Sequence, residues 1–234
     1  MTSRLVPRTA SALVLLLGPL CAGCTPDAGS PGVAAASTAP APAAGVPASA
    51  AGSSAVPLPE TAAGLEALLV AEVPSGLPRI PDDELDPPAG EKTIDDVAGY
   101  AEDAADQRSV LEDYGYRHGW ERFWRSDEAL TSVFVDQFAE PAGAVSYADD
   151  LVRNDADYYG GVPQPSPDGL PEGCSTMTVE EPDPHLGLSG PAAFTWCPHG
   201  VFSVSVAATA GTADAARHEA LAVTLEQLGR LPRG

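Results

Sequence analysis

Residues 174–180, CSTMTVE, and residues 192–197, AAFTWC, flank the loop 181–191 and read as two strands. Paired as a hairpin with Cys174 opposite Cys197, they set Met177 against Phe194, Val179 against Ala192 and Thr176 against Thr195. Apolar meets apolar and polar meets polar. Side chains alternate faces along a strand, so one correct pair fixes all the others. A disulfide between Cys174 and Cys197 is therefore predicted, closing a loop of about 22 residues and contributing roughly 3 kcal/mol in the chain-entropy picture. A two-cysteine metal site is the alternative. It lacks ligands, because the chain beyond Cys24 has no Cys-x-x-Cys and only His199 nearby, whereas zinc needs three or four protein donors. No metal and no cofactor is predicted.

Working outward, the second strand turns through Pro198-His199-Gly200 into residues 201–207, where Phe202, Val204 and Val206 alternate with Ser203 and Ser205. That is a half-buried antiparallel pattern. A final helix follows, with Leu221, Leu225 and Leu228 along one stripe placed to lie on the sheet. Upstream, residues 116–125 and 131–138 read as strands joined by a polar turn at Ser126, Asp127 and Glu128, and Pro141 opens a helix burying Ala144, Tyr147, Ala148 and Leu151. Thr93 and Asp96 resemble a capping box at the head of a helix carrying Ile94, Val97, Ala101, Ala104 and Leu111, stopped by Gly115. Thr61 caps a short helix with Leu65, Leu68 and Leu69, ended by Pro74 and Gly76. The order predicts one α+β domain over residues 61–234, an antiparallel sheet with helices packed mainly on one face.

Residues 25–59 are almost wholly Ala, Pro, Ser, Gly, Thr and Val with Asp27 the only charge. Such a segment cannot bury enough surface to offset its ordering entropy, and 24–60 reads as a disordered spacer. Ahead of it, Arg4 and Arg8 precede an apolar run, Ala10 to Leu20, too short to span a bilayer. This is the build of an export signal over residues 1–23. Its end, Leu20-Cys21-Ala22-Gly23-Cys24, resembles the lipobox of bacterial lipoproteins, with Cys21 where that motif usually has Leu. The resemblance implies acylation of Cys24, by palmitate among other chains, and an extracytoplasmic domain anchored to the cell membrane.

The 234 residues hold 12 basic and 33 acidic side chains, a net charge of −21 at pH 7. Loss of Arg4 and Arg8 with the signal makes it two more negative. Such a surface repels phosphate backbones and anionic headgroups, which excludes nucleic acid as a partner and polybasic attraction to membranes. Lys92 is the only lysine, and it sits in no Walker-type loop, Ser-x-x-Lys motif or Schiff-base context.

Tyr116, His118, Trp120, Arg122 and Trp124 alternate along one predicted strand and would share a face. They form either a ligand surface for a glycan or lipid chain or an aromatic core layer. Acids cluster at Asp82, Asp83, Glu84 and Asp86, at Asp149, Asp150, Asp155 and Asp157, and at Glu180, Glu181 and Asp183. Asp155-x-Asp157 starts like a calcium loop, but its twelfth position is Ser166 where a bidentate Glu is required. Gly187-Leu188-Ser189-Gly190 is no nucleophile elbow, His218-Glu219 lacks its second histidine, and His118, His185, His199 and His218 are scattered. No catalytic set is predicted.

The pattern Gly115-Tyr116-x-x-Gly119-Trp120-x-x-x-Trp124, followed by Val133-Phe134-Val135-x-x-Phe138 and Gly143-Ala144-x-x-Tyr147, resembles actinobacterial cell-envelope lipoproteins of uncharacterised function. Some lipoproteins of that type have a PsbP-like α+β fold. The resemblance implies a non-enzymatic binding or accessory role in the envelope, with a hydrophobic or glycan ligand or an envelope protein as partner, and it carries over no catalytic residue. An acidic protein-interaction module and a cell-wall hydrolase are the two alternative readings.

Overall fold

Seven strands run antiparallel to their neighbours in the order β1-β2-β3-β7-β6-β5-β4. They belong to a computed structural model that describes residues 57–182 and 184–232. The predicted signal, Cys24, most of the spacer and Asp183 lie outside the described residues. In chain order the elements are α1 (Ala62–Glu66), β1 (Gly90–Lys92), α2 (Ile94–Ala98), α3 (Ala104–Asp113), β2 (Tyr116–Arg125), β3 (Leu130–Phe138), α4 (Pro141–Tyr159), β4 (Gln164–Pro165), β5 (Ser175–Val179), β6 (Ala192–His199), β7 (Phe202–Thr209) and α5 (Ala213–Arg230). No described helix is long and apolar enough to cross a membrane.

The hairpin that decides the fold has the predicted register: Met177 pairs with Phe194, Val179 with Ala192 and Thr176 with Thr195. Cys174 and Cys197 form the disulfide, both buried. A Cys174→Ala/Cys197→Ala double variant should lose about 3 kcal/mol in urea unfolding. A loss below about 1 kcal/mol would mean that the closed loop contributes little to holding the domain together.

Strand alternation sorts the core into two layers. On one face Val133, Val135, Val204, Val206, Ala193 and Cys197 pack against Leu65 and Leu69 of the α1 region and against Ala216, Ala220 and Val223 of α5. On the other, Phe194, Trp196, Met177 and Phe138 pack against Val97 of α2, Leu111 of α3 and Ala144, Tyr147 and Leu151 of α4. The α+β class and the antiparallel sheet are as predicted, but helices cover both faces instead of mainly one. The physical reason is that β6 is buried on both sides from Ala192 to Cys197, so each alternate set of its side chains needs a cover.

Two helices differ from the sequence reading. The single helix predicted from Thr93 to Leu111 is two, because the Asp103 side chain accepts from the N–H groups of Ala105 and Asp106. A continuous helix would bond those groups to carbonyls one turn back, so Asp103 starts a new helix. The Thr93–Asp96 capping box is formed as predicted. In α5 the buried stripe is Ala216, Ala220, Val223, Thr224, Gln227 and, as predicted, Leu228, while Leu225 is exposed and Leu221 half-buried. Small residues let α5 approach β6 and β7 closely, and Thr224 and Gln227 find buried partners in Thr195 and in the backbone of Val70.

Candidate functional site

The predicted ligand strand, β2, carries a bulge between Tyr116 and His118 that shifts its register against β3. One extra residue at a bulge turns the flanking side chains to opposite faces. Tyr116 therefore packs in the α2–α4 layer against Phe138, while Trp120, Arg122 and Trp124 belong to the α1 and α5 side. The five residues do not share a face. The second set is roofed by the protein's own N-terminal segment: Trp124 is 1% exposed, and the Arg122 guanidinium donates to the Val70 carbonyl at 2.8 Å and to Glu66 at 3.3 Å. Gln227 clamps the same segment, accepting from the Val70 N–H at 3.0 Å and donating to the Leu68 carbonyl at 3.1 Å. His118 meets the Gln137 side chain at 3.1 Å, and its burial holds its pKa below the ordinary range. The arrangement of Trp120, Arg122 and Trp124 is that of a core layer.

A polar cluster that sequence reading did not assemble lies on the opposite face, between α2 and α4. Lys92 of β1 pairs with Glu121 of β2 at 3.1 Å, and the Tyr100 hydroxyl donates to the same carboxylate at 2.7 Å. The Lys92 ammonium also lies 5.8 Å from the Tyr100 ring centre. The Tyr116 hydroxyl donates to Asp136 at 3.1 Å. Gly119 makes this contact fit, since a Cβ there would collide with both the Asp136 carboxyl and the Tyr116 hydroxyl. Burial, aided by the charge of Glu121, raises the Asp136 pKa to about 7, and burial also raises those of Glu121, Tyr100 and Tyr147. The cavity above this floor is only about 20 Å³. That admits a water molecule and no sugar ring. A second buried acid, Asp155 of α4, accepts from the Trp196 indole at 3.0 Å, and burial lifts its pKa to about 7.

Asp155 and Asp157, whose spacing starts like a calcium loop but lacks its closing Glu, stand within α4. Among the described residues no three His, Cys, Asp or Glu side chains converge to hold a metal ion.

Space for a ligand lies elsewhere, along the outer edge of β5. A groove of about 790 Å³ runs from the end of α4 past the loop that carries β4 to α5. Tyr159, Val162, Val179 and Leu221 give it apolar surface, Thr176 and Thr178 line its strand side, and Asp168, Glu180 and Glu181 make it acidic. Arg217 also lines it and is paired with Asp214 at 2.9 Å. Gly160 ends α4 in the left-handed conformation at φ +68, and a Cβ on Gly161 would strike the Met177 side chain. Both glycines are needed for the chain to fold back tightly beside β5. The sequence placed Glu180 and Glu181 in an acidic cluster. Their meeting with α5 is a tertiary event with no local signal.

No protein-family model matches the chain, and no curated protein matches it in sequence. Among solved structures it is similar to the extracellular domain of PknH from Mycobacterium tuberculosis, at 13% identity over 54% of this chain and 72% of that one, with a TM-score of 0.38. The Cys174–Cys197 disulfide belongs to an oxidising compartment and makes this an extracytoplasmic protein.

Proposed function

We propose that the protein is a lipid-anchored, non-enzymatic binding module of the cell envelope, tethered through Cys24, which holds its ligand in the groove beside β5. The observation that carries this reading is the contrast between two surfaces. The aromatic face of β2 is filled by the protein's own residues, whereas the 790 Å³ groove has the size and mixed lining of a ligand site. The lipobox-like end of the signal and the disulfide support the location.

Full-length protein purified from membranes should start at Cys24 and carry acyl mass, and a Cys24→Ala variant should lose both. In detergent, the acylated protein should be retained on washed cell-envelope fragments. Val162 is 78% exposed and lines the groove, so Val162→Arg should cut retention at least about tenfold, a loss of about 1.4 kcal/mol of binding, without changing the melting temperature. Equal retention of the variant would remove the groove from consideration, and an unacylated chain would remove the anchor.

A further inference from the structure

We infer that the part of β5's outer edge that β4 leaves uncovered, from Thr178 onward, recruits an extended basic peptide, which joins the sheet as a strand beyond the end of β4. The inference rests on reading the groove as the binding site and names its occupant.

Cys174 and Cys197 stand opposite one another with Cα atoms 4.2 Å apart. That is the narrow, non-hydrogen-bonded kind of antiparallel pair, in which each residue's N–H and C=O point away from the partner strand. The Cys174 carbonyl does point outward, accepting from the Ser166 N–H at 2.8 Å. With a period of two, the backbone groups of Thr176 and Thr178 point outward as well. Thr176 is matched by Gln164 of β4. Thr178 would be matched by Val162, but β4 stops at Gln164, with Pro163 next in the chain, and Val162 is in no strand. The N–H and C=O of Thr178 therefore face the groove, and Glu180 continues the same outward side.

An unpaired edge is a template for another strand. Main-chain hydrogen bonds supply affinity in such additions, and alternate side-chain pockets supply selectivity. Here the pockets are of two kinds. Asp168, Glu180 and Glu181 favour Lys or Arg, while Tyr159, Val162 and Leu221 favour apolar side chains. The cation lining the groove, Arg217, is already matched by Asp214, and the whole chain carries −21, so the field repels acidic segments. An occupant alternating basic and apolar residues fits both linings. The same acids keep two copies of this chain from pairing edge to edge, since like charges would meet.

The test uses fluorescein-labelled Lys-Val-Lys-Val-Lys-Val with the full-length protein in detergent, read by fluorescence anisotropy. The basic peptide should bind, more weakly as salt rises, and Glu-Val-Glu-Val-Glu-Val should not. Two N-methylated versions decide the strand geometry. Methyl groups on all three lysines, or on all three valines, block alternate backbone edges, so one version should lose at least about tenfold in affinity while the other keeps it. Thr178→Pro should weaken binding likewise. Its missing N–H points outward, so the β5–β6 ladder is left intact. Equal effects of the two methylated peptides, or equal binding of the acidic one, would overturn strand addition. Retention on envelopes that Val162→Arg abolishes, with no binding of the basic peptide, would overturn the peptide and leave the groove to another ligand such as a glycan. Loss of both signals would overturn the groove itself.

Discussion

Gly143→Ala is expected to destabilise the domain by at least about 3 kcal/mol or to leave it unfolded. In an ordinary helix the same change gains up to about 1 kcal/mol, because alanine loses less backbone entropy. Gly143 sits in the first turns of α4, where an added Cβ would fall far inside contact distance of the Tyr114 carbonyl and close to Phe138. Tyr114 is itself fixed. It caps α3, and Gly115 behind it turns the chain at φ +73 into β2, with the Gly115 carbonyl accepting from Ala139. Neither backbone has room to retreat. Gly229→Ala, where an added Cβ meets nothing, is the matched control and should gain about 0.5–1 kcal/mol. Urea unfolding of the pair measures the difference, and equal stabilities would mean that the α3–α4 junction is not close-packed.

Stability should rise as the pH falls from about 7.5 to about 5, the reverse of what surface carboxylates usually give. Asp136 and Asp155 have folded-state pKa values of about 7 against 3.8 when unperturbed, burial being the main cause for both. A carboxyl whose pKa is raised by folding contributes fully when protonated, below its unfolded value, and that contribution is lost as the pH climbs through about 7. Shifts of this size correspond to an order of 4 kcal/mol per group across the whole window. Glu121, raised in the same direction, adds to the trend, and His118, lowered by burial, opposes it below its ordinary range. Asp136→Asn and Asp155→Asn keep an acceptor for Tyr116 and Trp196 and remove the proton, so each should flatten the curve. Denaturant midpoints measured across the window decide it. A wild-type profile that falls on acidification would place these carboxyls in water.

How much of this was legible in the sequence depends on the distance over which each signal acts. The hairpin register could be read because Cys174 and Cys197 are pinned together and side-chain identity alternates on both strands. The capping residues Thr61 and Thr93 and the opening of α4 by Pro141 are likewise local chemistry. The α2–α3 break was missed because an apolar period runs through it, while Asp103 competes for backbone N–H groups without changing that period. On α5 Leu228 is buried as its spacing indicates, but Leu221 and Leu225 are not, because the small residues with Gln227 and Thr224 carry the contacts. The polar cluster draws on residues 92, 116, 121 and 136 from three strands and on Tyr100 from the turn after α2. Only the placing of an acid at an inward position of two adjacent strands hinted at it. The shared face assigned to β2 failed at one bulge, since a single inserted residue reverses every side chain before it.

The clamp of Gln227 on Leu68 and Val70 joins residues 159 and 157 positions apart, and the central seam between β3 and β7 can form only after most of the chain exists. A chain made from its N-terminus therefore presents α1 long before α5 arrives to cover it. Until then its apolar side has no cover, and the burial of Leu65 and Leu69 waits on α5, Ala213–Arg230. Closure of the domain thus reports that α5 has arrived, and a chain stalled near residue 210 would remain open to proteolysis.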